Sequence, residues 1–464
     1  AGFRYSNFSY DSNYQSCHNT GNDKLPNINS SYDFLDEDGA FNPWRNMAWY
    51  GNVDYNFRNK YYLQGTIAAE TSSRFGRDTE NGLKMAGVCW GIFPSLQAGW
   101  LISAEPWFNA NAINFLKLTA GVDVSGNDNI DNNAAFAYFS NVQYQDRANG
   151  LILTNIENQS IQWENTTRFN AGLETVMLNN RLKVGATFFH NVTDNLLTLK
   201  NLNYLTGLES YWCNGGSLEN NGFDVNVMGK VINTKNWKWE LGASVAHYKN
   251  IVTALPDGDF TTDIYGGTLL TAVGSPVGVF YGYKTDGVYS KGTDVPSKDG
   301  VLLSTKNTVT GETVAFGAGD VRFVENKVDN FIDDNDRVVI GDPNPDLYGN
   351  IHSKLSYKHL TLDATVNYVY GNDIYNYQRS LLESSSNFYN QTLAVTNRWR
   401  TEGDVTNMPK ASYGDPLGNN RFSDRWIEDG SYLRLKNVTL TYDIPVSLTW
   451  LQGMKVWCAA NNLF

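Results

Sequence analysis

From Asn46 to Phe57, Met47, Trp49, Val53, Tyr55 and Phe57 alternate with Asn46, Asn52, Asp54 and Asn56. Successive side chains of a strand point to opposite faces, so an alternation of this kind describes a strand with one apolar and one wet face. It recurs at once. Beyond Arg58-Asn59, Tyr61, Leu63, Ile67 and Ala69 oppose Lys60, Gln64, Thr66 and Glu70. Further copies run from Leu116 to Val124, Phe169 to Met177, Leu182 to Phe188, Phe223 to Val231, Trp237 to Val245, Leu360 to Tyr368 and Met454 to Ala460. The chain is rich in Gly (41), Tyr (27), Phe (23) and Trp (13), with only 18% charged residues, a mixture that favours strands and turns over helices. The expected class is therefore all-β.

The connections narrow the architecture further. Short ones, at 58–59, 178–180, 232–236 and 358–359, alternate with long polar excursions near 71–91, 193–219, 251–350 and 371–431. The usual connection is roughly 4–6 residues. Outer-membrane barrels put short turns on one side and long loops on the other, whereas a soluble sandwich has no reason to gather its long loops at one end. Trp49, Tyr55, Phe57, Tyr61, Trp237, Trp239, Tyr368 and Tyr370 lie near strand ends, where a membrane barrel carries aromatic girdles. Mean hydropathy is −0.40, and there is no run of about eighteen apolar residues, so a helical membrane protein is excluded. A barrel is not, because its strands need only one apolar face. The expected fold is a transmembrane antiparallel β-barrel.

A net charge of −12 without clustered Lys or Arg excludes a nucleic-acid partner. Cys17, Cys89, Cys213 and Cys458 form no CxxC pair and are too widely spaced for a zinc framework, so free or incidentally paired thiols are expected. The five histidines are scattered and no nucleophile elbow is present, which leaves catalysis without a foothold. Adjacent carboxylates such as Asp333-Asp334 are weak support for glycosidase chemistry in a chain so rich in Asp. The chain is read as a non-enzyme. Its start, Ala1-Gly2-Phe3-Arg4, has no signal-peptide pattern, as expected of a processed or internal piece.

Several stretches resemble, in order, the SusC/RagA family of TonB-dependent transporters. They are Ser72 to Gly76, Phe93-Pro94-Ser95, Gly126 to Ile130, Asn220 to Phe223, Phe280 to Val288 and Gly341 to Pro345. The strongest are Ser412 to Asp415 and Arg421-Phe422-Ser423-Asp424-Arg425-Trp426 through Val438. The resemblance implies a plugged 22-stranded barrel, of which this chain would supply about 12–13 strands without the plug. Asn461-Asn462-Leu463-Phe464 is similar to a segment that such proteins carry shortly before their end, so the chain is expected to be a fragment. The resemblance also implies outer-membrane import in a Gram-negative, Bacteroides-type bacterium, with lipid around the wall, a SusD-like surface lipoprotein outside and TonB acting through the plug. The cargo would be a large nutrient, an oligosaccharide or a peptide. Two alternatives stand beside this reading: a soluble secreted β-sandwich that binds glycans, and a plugless porin or adhesin barrel.

Candidate ligand contacts are loop aromatics whose ring faces can stack on sugars: Trp90, Tyr211, Trp212, Phe388, Tyr389, Trp399 and Trp426. Asp286, Asp373, Arg398 and Arg400 are candidate hydrogen-bond partners for hydroxyls. Loop packing is the commoner role for all of them. Where members of the family often carry a calcium-loop-like Asp-x-Asn-x-Asp-Gly run, this chain has Glu325 to Asp336. Glu325, Asp329, Asp333 and Asp336 are the candidate ligands, but Lys327 replaces an expected ligand and Asn330 the glycine. An acidic solvated loop is expected there, with calcium as the alternative and no other cofactor.

Overall fold

The computed structural model describes all residues except 21–23, 25–30, 80–81, 145–147, 209, 447–449, 452 and 464. Phe464 and the Cys17 side chain lie outside the described residues. Among the described residues the long strands are β1 (Gly2–Thr20), β2 (Ser31–Phe57), β3 (Tyr61–Ser72), β4 (Val88–Leu101), β5 (Ile113–Asn127), β6 (Glu164–Met177), β7 (Leu182–Asp194), β8 (Ser217–Asn233), β9 (Trp237–Ala254), β10 (Leu347–Tyr357), β11 (Leu360–Tyr370), β12 (Tyr432–Ile444) and β13 (Met454–Asn461). No helix is long and apolar enough to cross a membrane among the described residues. The chain forms two compact units, the first made of Ala1–Asn109, Leu116–Gly172 and Phe189–Leu218, the second of Ala110–Phe115, Leu173–Phe188 and Glu219–Phe464.

In the first unit β1 to β5 pair antiparallel in chain order. Tyr55 stands opposite Leu63, Leu63 opposite Ala98, and Ala98 opposite Ala120, which makes one apolar row across four strands. One residue away, Asp54, Gln64, Gln97 and Gly121 make the matching polar row. The alternation read from the sequence is thus a real division between faces. The β2–β3 connection has three residues, 58–60, in which Arg58 and Asn59, both at φ 55°, take the left-handed conformation and the Lys60 N–H donates to the Phe57 carbonyl at 3.1 Å.

The second unit repeats the design in β9 to β13. Trp237, Tyr357, Leu360, Tyr442 and Val456 line up on one face beside the short turns, all of them exposed. Trp237 and Tyr357 rings lie 4.4 Å apart, as in an interfacial girdle. The opposite face carries Glu240, Lys354, Asp363 and Thr439. A sandwich would need its apolar rows covered by a second sheet. Instead Trp49 is 54% exposed and Leu362 42% exposed.

Four strands lie where the sequence reading has none: β1, β4, β10 and β12. In β12 the phase slips, because Thr365 pairs with Asn437 and Val366 with Leu435, leaving Lys436 as a bulge. Leu433 and Leu435 before it and Val438, Leu440 and Tyr442 after it therefore fall on opposite parities. Pro94 interrupts the apolar row of β4 and Phe93 stands on its polar face, while Gly349 and Ser353 interrupt the apolar row of β10. A long excursion at 128–163, also absent from the sequence reading, contains a hairpin of Tyr138–Tyr144 with Ala148–Asn155.

Candidate functional site

The long excursions fold into lobes with cores of their own. In the first unit Phe75, Ile130, Ala134, Ala135, Ile161 and Trp163 form a buried cluster, against which Phe93, Leu197 and Trp212 pack. In the second, residues 255–346 and 371–431 interlock around Tyr283, Tyr289, Val295, Leu303, Phe316, Val321, Phe323, Ile332 and Leu417. Burial pushes the Tyr289 phenol up to about 12, so it stays neutral.

Two of the motifs that carry the family resemblance meet in this second lobe. Tyr283 and Ser423 bridge in parallel, with Tyr283 N–H donating to the Phe422 carbonyl at 3.1 Å and Asp424 N–H donating to the Tyr283 carbonyl at 3.1 Å. Asp424 also accepts from the Thr285 hydroxyl at 2.6 Å. Beside this junction opens a cavity of about 880 Å³, lined among others by Tyr281, Tyr283, Thr305, Thr308, Phe331, Asp334, Arg337, Arg421 and Phe422. Arg421 lies 5.4 Å from the Tyr283 ring and 5.5 Å from that of Phe323, and its Nη2 donates to Thr305 Oγ1. Burial lowers its pKa, and its buried Nη1 has no partner among the described residues. Arg337 pairs with Asp334 at 2.7 Å, and Asp334 also accepts from the Tyr283 hydroxyl at 3.3 Å. The half-buried rings of Tyr281, Phe331 and Phe422, with hydroxyls and paired charges beside them, can hold a polar ligand by stacking and hydrogen bonding, whereas the Tyr283 ring is buried under the arginines. Neither histidine nor cysteine is among the residues lining the cavity.

The residues singled out from sequence divide by burial. Trp90 is 2% exposed, with its indole N–H on the Met85 carbonyl, and Trp426 is 1% exposed, flanked by Arg425 at 4.8 Å and Arg379 at 5.8 Å. Neither offers a ring face to a ligand, so both are corrected to packing residues. Burial lowers the Arg425 pKa to about 10, which still leaves it charged at neutral pH. Trp399 donates to the Ser290 carbonyl at 3.1 Å and lies against Gly319, where a Cβ would come within 2.5 Å of its ring and φ is 81°. Trp212 donates to Asp131 at 2.9 Å, and Tyr211 sits in a short ladder opposite Lys200.

Asp373 accepts the backbone N–H of Asp342 at 2.8 Å, Asp286 pairs with Arg322 at 2.6 Å, and Arg400 donates to the Thr396 carbonyl at 2.9 Å. Arg398 reaches the Val395 carbonyl at 3.5 Å. These four brace the loops. Phe388 and Tyr389 stand free, 92% and 80% exposed, with the Phe388 ring 5.3 Å from that of Tyr413. Tyr283, Thr305, Arg337 and Arg421 are absent from the sequence reading of ligand contacts. Tyr283 and Arg421 lie inside motifs quoted for the resemblance, but only the fold puts those motifs side by side.

The calcium candidates do not converge. Asp336 is fully buried and accepts the backbone N–H groups of Asn326, Lys327 and Asp333, while Asp329 pairs with Lys327 at 3.1 Å. Among the described residues no three His, Cys, Asp or Glu side chains gather as a metal site.

No family model matches the chain. In sequence it is 28% identical over 433 residues, 90% of its length, to the TonB-dependent receptor P3 of Formosa agariphila, and 27% identical over 418 residues, 85% of its length, to the TonB-dependent receptor SusC of Bacteroides thetaiotaomicron. It spans 40% and 37% of those relatives. In fold it matches a chain of the RagAB peptide importer over all of its own length and 49% of that chain, with a TM-score of 0.80 at 22% identity. The chain is thus similar along most of its length to TonB-dependent receptors, SusC among them, and shares the fold of the RagAB chain it matches.

Proposed function

We propose that the chain supplies wall strands and outer loops of an outer-membrane transporter that imports a nutrient too large for passive diffusion, an oligosaccharide or a peptide. One observation carries the reading. Apolar rows on one face of the strands stay exposed, as a lipid-facing wall requires, while the long excursions build lobes with open, ring-lined surfaces. In this reading a SusD-like lipoprotein covers the loops from outside, and TonB drives release of cargo through a plug. The host is a Gram-negative bacterium of the Bacteroides type, and the role is non-enzymatic.

Deletion of the whole receptor should abolish growth on one member of a panel of oligosaccharides and peptide mixtures, and loss of TonB should abolish the same growth. Growth that survives without TonB would favour the passive porin. Growth unchanged by the deletion on every member would remove the import reading.

Within the loops, Tyr389→Ala should weaken binding of the cargo about 3- to 10-fold, the worth of one aromatic stacking contact. Its melting temperature should not move, because Tyr389 is largely exposed. Calorimetric titration beside a melting curve separates the two effects, and equal affinity would remove Tyr389 from the site.

A further inference from the structure

The run from Glu325 to Asp336 has the spacing of a twelve-residue calcium loop, which places oxygen ligands at positions 1, 3, 5, 7, 9 and 12 and a glycine at 6. Here those positions hold Glu325, Lys327, Asp329, the Phe331 carbonyl, Asp333 and Asp336. Asn330, at position 6, has the left-handed φ of 67° that a glycine would supply. The path of a calcium loop is therefore present, but the donor set is that of another solution. Position 3 carries a cation, and the carboxylates face the backbone. Asp336 takes the N–H groups of Asn326 and Lys327 on Oδ1, at 2.8 and 3.0 Å, and that of Asp333 on Oδ2, at 2.9 Å. Glu325 Oε1 takes the N–H groups of Asp329 and Asn330, and Asp333 takes that of Asn335 at 2.8 Å.

We infer that Lys327 is the built-in counter-ion of this loop, supplying the positive charge that a divalent cation supplies in loops of the same spacing, so that the loop holds its shape without metal. Its Nζ lies 3.1 Å from Asp329 Oδ2. Asp329 holds the ammonium above the usual lysine range, and the charges of Asp333 and Asp336 add to that. The consequence reaches the cavity, because Phe331 to Asp334 form part of its wall and Ile332 belongs to the lobe core. Thr305 ties down the same segment by donating to the Ile332 carbonyl at 2.9 Å.

The test uses the intact receptor in detergent, with limited proteolysis of the loop in EDTA and in calcium chloride, beside calorimetric titration of calcium. The wild type should be cleaved at the same rate in both and take up no calcium at this loop. Lys327→Met should be cleaved faster in both, because the carboxylates lose their counter-ion and gain no ligand. Lys327→Asp combined with Asn330→Gly should acquire a calcium site with a Kd of about 10⁻⁴ to 10⁻³ M and be protected only when it is filled. Calcium uptake by the wild type that Asp336→Asn abolishes would overturn the inference. So would a Lys327→Met loop as resistant as the wild type in EDTA.

Discussion

Asp320→Ala will loosen the interlocked loop lobe by about 2–4 kcal/mol, because it leaves the buried Asn419 amide and the Gly317 N–H without their acceptor and Lys410 without its counter-charge. Asp320 is fully buried on residues 255–346 and reaches residues 371–431 twice, accepting from Lys410 Nζ at 3.0 Å and from Asn419 Nδ2 at 2.9 Å. Asn419 in turn accepts the Val321 N–H at 2.8 Å, and Lys410 N–H donates to the Gly319 carbonyl at 2.8 Å. Removing one carboxylate therefore strands an ammonium and an amide and weakens the backbone contacts they hold. Lys410→Met should also be costly, because it leaves the fully buried Asp320 carboxylate without its counter-charge, although the Gly317 N–H and Asn419 still donate to it. The measurement is hydrogen exchange. Amides at 317–321 and 408–419 should exchange faster, while those of β9 to β13, held by their own ladders, should keep their rates. Asp286→Ala breaks an exposed ion pair with Arg322 and should change stability by less than about 1 kcal/mol. Equal loss from Asp286→Ala and Asp320→Ala would refute the assignment of Asp320 as the clasp.

Why the strands were legible while this clasp was not follows from the range of the interactions. A strand with one apolar face writes its period into neighbouring residues, so Trp49, Val53 and Tyr55 announce β2 without reference to any partner. The signal fails where the backbone departs from strict alternation, as at Lys436, or where Pro or Gly stands in the apolar row, as Pro94 does in β4 and Gly349 in β10. Loop lobes are built from contacts distant in sequence. Asp320 and Lys410 are 90 residues apart, and Thr305 and Arg421 116 apart, and no local pattern records such a pairing. The same reasoning explains the aromatic candidates. Composition marks Trp426 and Tyr389 alike as loop aromatics, and only the fold buries the first among arginines and leaves the second in the open.

The lipid-facing assignment makes its own demand on two adjacent residues. Ile67, near the middle of β3 and exposed, lies opposite Gly51 and Pro94, on the same face as Leu63 and Ala69. Thr66 points the other way, opposite Asn52 and Ser95, with its hydroxyl 3.3 Å from the Asn52 amide oxygen. In a bilayer Ile67→Arg should destabilise folding by about 2–4 kcal/mol, because the guanidinium must be held near the hydrocarbon midplane. Thr66→Arg meets polar neighbours on the inner face and should cost less than about 1 kcal/mol. Tyr61→Arg, on the same face as Ile67 but beside the short turn, should fall between them, since the penalty fades toward the interface. Urea unfolding of the intact receptor from lipid vesicles reads all three. A soluble protein with Ile67 facing water would tolerate Ile67→Arg as readily as Thr66→Arg, so equal stabilities would show that lipid does not cover this face.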